Sequence, residues 1–150
     1  MKIQMSVAAL FTWMVTSLGG LILLVIWIIE YDSEYQSAAA TRLPVPVVST
    51  HALLGMSGIL LWIGYLLVGK ERLAWAAVFI LAAVALLGLL MAVRWIGVYR
   101  SFASPGPSIT RNTTAPPERS FPLPVVVLHG VLAVTTFVLV LLTTLGGGRR

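Results

Sequence analysis

The sequence predicts an all-α integral membrane protein, a four-helix bundle that forms a single membrane domain over residues 1–150. Hydrophobic residues make up 59% of the chain and charged residues only 10%, with a mean hydropathy of +0.98. Soluble domains carry about 25% charged residues, so this chain cannot cover a water-facing surface. Two further observations support the class: four segments are long and apolar enough to cross a bilayer, and one octet of sequence occurs twice.

The four predicted spans lie at about Val7–Ile29, Val47–Val68, Leu73–Val98 and Val125–Leu145. An α-helix rises about 1.5 Å per residue, so about 20 residues cross a hydrocarbon core about 30 Å thick. The first span is expected to be a retained helix, because its apolar run exceeds the roughly 7–15 residues of a signal-peptide core.

Two of the three connections are long and one is short. Glu30–Pro46 is a polar loop and Gly69–Arg72 is a tight turn, whereas residues 100–121 are rich in Pro, Ser and Thr and are predicted to lack regular structure. Both chain termini and the tight turn then share one face of the membrane, termed the terminal face, and the two longer loops share the other, termed the loop face. Basic residues beside helix ends in short loops favour a cytoplasmic terminal face.

The repeated octet places the two histidines of the chain at equivalent positions. Residues 44–51 read PVPVVSTH and residues 122–129 read PLPVVVLH, identical at five of eight positions. Proline is tolerated in the first turn of a helix, so each Pro-x-Pro pair predicts a helix start, with its histidine about 7 Å below. We therefore predict two helical hairpins related by a pseudo-twofold axis along the membrane normal, with His51 and His129 facing each other at one depth.

Small side chains share a helix face with each histidine. The residues four and seven positions beyond each histidine are Gly55, Gly58, Ala133 and Thr136. Such a strip leaves room for a flat ligand, and these four residues are the predicted haem-facing positions. The competing interpretation is close helix packing, for which small residues at this spacing are common in membranes.

Among metal sites, two histidines without further ligands favour haem. The chain has no cysteine, which excludes disulfides, thiolate metal sites and iron–sulfur clusters. A zinc site built only from protein needs three or four ligands, whereas haem leaves only axial positions for the protein to fill. His51 and His129 are therefore the predicted axial ligands of one haem b. Two alternatives stay open: copper bound with Met56 or Met91, and a cofactor-free pair that serves packing, proton relay or pH sensing.

Arg94 is the candidate partner for the haem propionates. It lies near the end of the third span on the histidine side, and guanidinium binds carboxylate through two hydrogen bonds. Snorkelling to the interface, or an ion pair with Glu30, is the competing interpretation. Aromatic residues at the same boundary predict an interfacial belt: Trp27, Tyr31, Trp95 and Tyr99.

A small helical bundle in which transmembrane histidines pair across helices resembles the membrane b-type cytochromes. The resemblance covers the second and fourth spans and rests on His51 and His129. It implies one bis-histidine haem b and electron transfer, either between quinol and an outer acceptor or within a larger set of membrane redox subunits. The chain departs from the di-haem members, which carry two histidines on one helix.

The alternative function is a cofactor-free accessory or scaffold subunit. An enzyme acting alone is not supported, because the sequence shows no nucleophile–base set and no phosphate-binding loop. Nucleic acid is not an expected partner, because no basic stripe is interleaved with aromatic residues. An Arg-to-Lys ratio of 8 to 2 and richness in Ala, Val and Leu favour a bacterial plasma membrane. The oligomeric state is left open.

Overall fold

The computed structural model describes residues 2–32, 41–103 and 116–146, which form a four-helix bundle. The helices are α1 (Lys2–Asp32), α2 (Val45–Val68), α3 (Glu71–Ala103) and α4 (Leu123–Leu145), and a 3-10 helix (Pro117–Ser120) precedes α4. All four α-helices are long and apolar enough to cross a membrane, and large apolar side chains are exposed along each of them, as contact with lipid requires. The predicted class is confirmed: the chain is an integral membrane protein with four apolar helices.

The helices are longer than the predicted spans. The connection between α3 and α4 also contains helical turns at both of its ends, which the sequence did not predict. The prediction that residues 100–121 lack regular structure is wrong there, because α3 continues to Ala103 and Pro117–Ser120 form a 3-10 helix. Residues 104–115 lie outside the described residues. Apolar periodicity locates the middle of a span but not helical turns in polar sequence, and proline is as compatible with a helix start as with a loop.

Proline and glycine set the ends of the histidine-bearing helices. Pro44 and Pro122 precede α2 and α4 with extended backbone conformations. Pro46 and Pro124 then fall in the first turn, where a missing N–H costs nothing. α2 ends at Val68 and is followed by Gly69, whose φ of 71° is a left-handed conformation that favours glycine. α3 begins two residues later, so α2 and α3 form a tight hairpin.

The four helices form a ring in chain order. α1 packs most extensively against α4, and α2 against α3, whereas α1 with α2 and α3 with α4 share smaller contacts. Each helix therefore contacts the helix before it and the helix after it in chain order, and α4 closes the arrangement against α1. It follows that α2 and α4, which carry the histidines, lie diagonally across the bundle.

The best-packed part of the bundle lies toward the terminal face. Trp13 of α1 and Trp62 of α2 belong to its core, and the fully buried indole of Trp62 donates to the carbonyl oxygen of Ser6 at 3.1 Å. Gly58 allows Trp13 to approach α2, because a Cβ at Gly58 would lie 2.6 Å from the ring. The indoles therefore fill the space between helices in this half.

Gly58→Ala is expected to lower the free energy of unfolding by about 1–3 kcal/mol, because the added methyl group must displace Trp13. Gly64→Ala is the matched control, since its Cβ would lie 3.6 Å from Leu73 in ordinary contact. Thermal unfolding in detergent, followed by circular dichroism, measures both variants. Equal stability of the two variants would show that Trp13 moves aside without cost.

A second buried layer closes the bundle at the loop face. It includes Trp27 of α1, Trp95 of α3, Leu43 from the segment before α2, and Glu118 from the 3-10 helix. The layer therefore joins two transmembrane helices to both connecting segments.

Between these two buried layers lies a level of the bundle that contains no buried residue. This holds for residues 17–26 of α1, 45–57 of α2, 82–94 of α3 and 123–135 of α4. At about 1.5 Å per residue, the level is about 15 Å tall along α1. We term it the histidine compartment, because both histidines lie within these ranges. All side chains in these ranges are at least partly exposed.

Candidate histidine site

The structure brings the two histidines together across the diagonal of the bundle. The ring centroids of His51 and His129 are 6.3 Å apart, and the ring planes are inclined by 59°. Both side chains are only partly buried. The two imidazoles therefore face a common space in the histidine compartment.

A backbone carbonyl of a neighbouring helix orients each imidazole. Nδ1 of His51 lies 3.0 Å from the carbonyl oxygen of Val84 on α3, and Nδ1 of His129 lies 2.8 Å from that of Thr16 on α1. A carbonyl oxygen only accepts hydrogen bonds, so the Nδ1 atom of each ring carries a proton. In a neutral imidazole, Nε2 then holds a lone pair, and this is the form of histidine that binds metal.

Glycines on α1 and α3 make room for the rings. A Cβ at Gly20 would lie 2.9 Å from Cε1 of His129, and a Cβ at Gly88 would lie 3.2 Å from Cε1 of His51. Both distances are shorter than ordinary van der Waals contacts, so a side chain at either position would push on an imidazole. The site is therefore built from all four helices.

The helices that orient the histidines carry a second repeat, which the sequence predictions missed. Residues 20–31 read GLILLVIWIIEY and residues 88–99 read GLLMAVRWIGVY, identical at six of twelve positions. The same shift of 68 residues aligns Thr16 with Val84, the two carbonyl acceptors. A search for self-similarity at every shift would have found this signal. It would have identified Gly20 and Gly88 as equivalent positions.

The correspondence extends to buried positions of the core. The shift of 68 residues pairs Ala9 with Ala77, and both are 0% exposed. The shift of 78 residues that aligns the histidines pairs Trp62 with Val140, and both are again 0% exposed. In each of these two aligned pairs, both residues are therefore fully buried.

The four predicted small residues lie at two levels. Gly55 and Ala133 lie in the histidine compartment, and a Cβ at Gly55 would meet no atom within 4 Å. Gly58 lies in the core against an indole. Thr136 is buried there too, with its hydroxyl oxygen 3.3 Å from that of Thr16. The structure therefore brings only Gly55 and Ala133 to the level of the histidines.

Arg94 lies at the loop face with an exposed side chain, and its guanidinium donates to the carbonyl oxygen of Arg42 at 3.2 Å. The contact ties α3 to the segment before α2. Because a guanidinium has five N–H donors, this bond leaves it able to bind a carboxylate.

The donor set suits a metal that brings most of its own ligands. Among the described residues, no group of three or more His, Cys, Asp or Glu side chains comes together, whereas a zinc site needs three or four. Met56, a ligand in the copper alternative, is 66% exposed. A metal–imidazole bond is about 2 Å long and a ring centre lies about 1 Å behind its nitrogen, so imidazoles on opposite sides of one metal have centres about 6 Å apart. The observed 6.3 Å agrees with that arrangement.

Comparisons of the chain with protein-family models, with curated proteins and with solved structures found no match. Its function is therefore inferred from the site. Three features of the site bear on function: the spacing of the imidazoles, the hydrogen bonds at Nδ1 and the histidine compartment.

Proposed function

We propose that the protein is a single-haem, b-type membrane electron-transfer protein, with haem b held between His51 and His129. The observation that carries the proposal is the pair of carbonyl-bound imidazoles with centroids 6.3 Å apart. Each ring has a free Nε2 lone pair, and the spacing is what two ligands on opposite sides of one metal require. The resemblance to membrane b-type cytochromes points to the same cofactor.

The histidine compartment favours a macrocycle over a bare metal ion. Its helix segments contain no buried residue. The residues of α1 and α3 that lie next to the imidazoles are the glycines Gly20 and Gly88. Glycines beside the imidazoles suit a flat ligand between the helices, because protein interiors otherwise pack without gaps larger than a water molecule. Arg94, at the loop end of the compartment, is the proposed partner for the propionates.

Bound haem supplies a one-electron iron couple. The residues of the chain set its surroundings: the carbonyl oxygens of Val84 and Thr16 fix the imidazole orientations and raise their basicity through Nδ1–H. Greater basicity favours the oxidised iron and lowers the reduction potential. The apolar helices keep the site at low dielectric, which is the second influence on that potential.

We further propose that the bundle consists of two repeated hairpins, α1–α2 and α3–α4, related by a pseudo-twofold axis along the membrane normal. The hydrogen bonds support this relation, because His51 on α2 binds α3 whereas His129 on α4 binds α1. The acceptors Thr16 and Val84 correspond under the shift that aligns α1 with α3. An axis between the imidazoles would make the two axial positions equivalent.

The proposed setting is a bacterial plasma membrane with the terminal face in the cytoplasm. The histidine compartment lies on the loop-face side of the core, so electrons would be exchanged near the extracytoplasmic surface. Membrane quinol or other membrane redox subunits are the proposed partners, as the resemblance to b-type cytochromes implies.

Optical absorption of the purified protein tests the proposal. Protein expressed with sufficient haem is expected to carry haem in equimolar amount and to show the reduced-minus-oxidised difference spectrum of a low-spin b-type haem. A colourless preparation that does not bind added haemin would overturn the proposal. That result would favour the accessory subunit without a cofactor, in which the histidine–carbonyl hydrogen bonds join neighbouring helices.

A further inference from the structure

The segment before α4 covers the loop end of the histidine compartment. Its 3-10 helix packs against both α1 and α3, which lie diagonally across the ring, so the segment crosses the end of the bundle. Pro116, Pro117 and Glu118 are buried. We term residues 116–121 the lid.

The carboxylate of Glu118 holds the lid to the segment before α2. This side chain is 0% exposed. It accepts a hydrogen bond from the hydroxyl of Thr41 at 3.0 Å and another from the backbone N–H of Arg42. Hydrogen bonds to an ionised acceptor are stronger than those between neutral groups.

Two tryptophans hold the same cluster to the transmembrane helices. The indole N–H of Trp95 on α3 donates to the carbonyl oxygen of Glu118 at 3.2 Å, and that of Trp27 on α1 donates to the hydroxyl of Thr41 at 3.4 Å. These indoles occupy matching positions of the second repeat, each seven residues beyond its glycine. The cluster is therefore attached to both α1 and α3, whose backbone carbonyls bind the histidines.

We propose that the lid is a gate that closes the histidine compartment at the loop face, and that Glu118 holds it closed. A buried carboxylate is costly unless its hydrogen bonds are made. Loss of the contacts with Thr41 and Arg42 therefore favours a state in which Glu118 is hydrated and the lid has left the bundle end. The compartment is then open to water. The gate does not depend on which ligand the compartment binds.

Thiol labelling measures access to the compartment, because the chain has no cysteine of its own. Gly55→Cys places a thiol in the compartment, where a Cβ meets no atom within 4 Å. Lys70→Cys places a thiol at an exposed position in the turn between α2 and α3, outside the membrane spans, and reports reactivity far from the lid. The rate of reaction with a water-soluble maleimide is measured for both in permeabilised vesicles that contain the haem-free protein.

Glu118→Ala is expected to raise the labelling rate of Gly55→Cys by about tenfold or more and to leave that of Lys70→Cys unchanged, because both carboxylate hydrogen bonds are lost. Glu118→Gln is the matched control. Its amide oxygen accepts from the N–H of Arg42 and its amide nitrogen donates to the hydroxyl of Thr41, so the rate stays within about twofold. Trp95→Phe removes a separate lid contact and is expected to raise the rate several-fold.

Unchanged labelling in a folded Glu118→Ala protein would overturn the gate, as would a wild-type lid that lets Gly55→Cys react as fast as Lys70→Cys. Should Glu118→Ala fail to fold, Trp95→Phe decides the question, and an unchanged rate there contradicts the proposal. Labelling of the haem-free protein reports access through the lid, and the optical spectrum of the haem-supplied protein reports the cofactor. Failure of the gate is therefore distinguishable from failure of the proposed function.

Discussion

Replacement of either histidine by alanine is expected to abolish the haem spectrum of the purified protein. His51→Ala and His129→Ala each remove one of the two nitrogens that we propose bind the haem iron. No further histidine or cysteine exists in the chain to replace it. The measurement is the reduced-minus-oxidised difference spectrum, with haem content determined on the same sample.

Replacement of two hydroxyl-bearing residues by alanine provides matched controls on the same helices. Ser57 on α2 and Thr135 on α4 are exposed, and each hydroxyl donates to a carbonyl of its own helix. Ser57→Ala and Thr135→Ala are therefore expected to keep the full spectrum. The core around Trp13 and Trp62 lies below the compartment, so circular dichroism should show that the histidine variants remain helical. A full spectrum in either histidine variant would rule out the assigned ligands.

Gly20→Ala is expected to weaken haem binding by about ten- to a hundredfold. The added Cβ would lie 2.9 Å from Cε1 of His129 and would displace that imidazole. Overpacking of this kind costs about 1–3 kcal/mol, and each 1.4 kcal/mol is about a factor of ten in affinity. Titration of the haem-free protein with haemin, followed by absorption, measures the change.

The neighbouring glycine separates this effect from the intrinsic effect of alanine on a helix. A Cβ at Gly19 would lie 3.6 Å from Cβ of His129, in ordinary contact, so Gly19→Ala is expected to bind haemin as the wild type does. Gly88→Ala, with its Cβ 3.2 Å from Cε1 of His51, should fall between the two. Equal weakening at positions 19 and 20 would show that displacement of the imidazole is not the cause.

Hydropathy and local repeats were sufficient to establish the class of the protein, its four spans and the diagonal histidine pair. A membrane helix must present a long apolar run to lipid, and that requirement is local in sequence. Helix starts at paired prolines are local too, so the octet placed His51 and His129 at one depth. Two similar octets predicted similar depths for their histidines, because each octet starts a helix at the same face of the bundle.

The neighbours of the histidines depended on how the helices meet. Periodicity pointed to Gly55, Gly58, Ala133 and Thr136, which share a face with the histidines on their own helices. The glycines that touch the rings, Gly20 and Gly88, lie on other helices. Which residues meet across an interface depends on the crossing angle and axial register of two helices, and neither is encoded in the periodicity of one helix.

The lid shows even more clearly that local sequence does not determine which distant residues come into contact. Glu118 belongs to a Pro/Ser/Thr-rich segment whose composition predicted a loop without regular structure. Its burial depends on Thr41, 77 residues away, and on the indole of Trp95. Composition describes what a segment can do in isolation, whereas a buried carboxylate is stable only where partners from distant parts of the chain converge. That convergence is a property of the folded bundle.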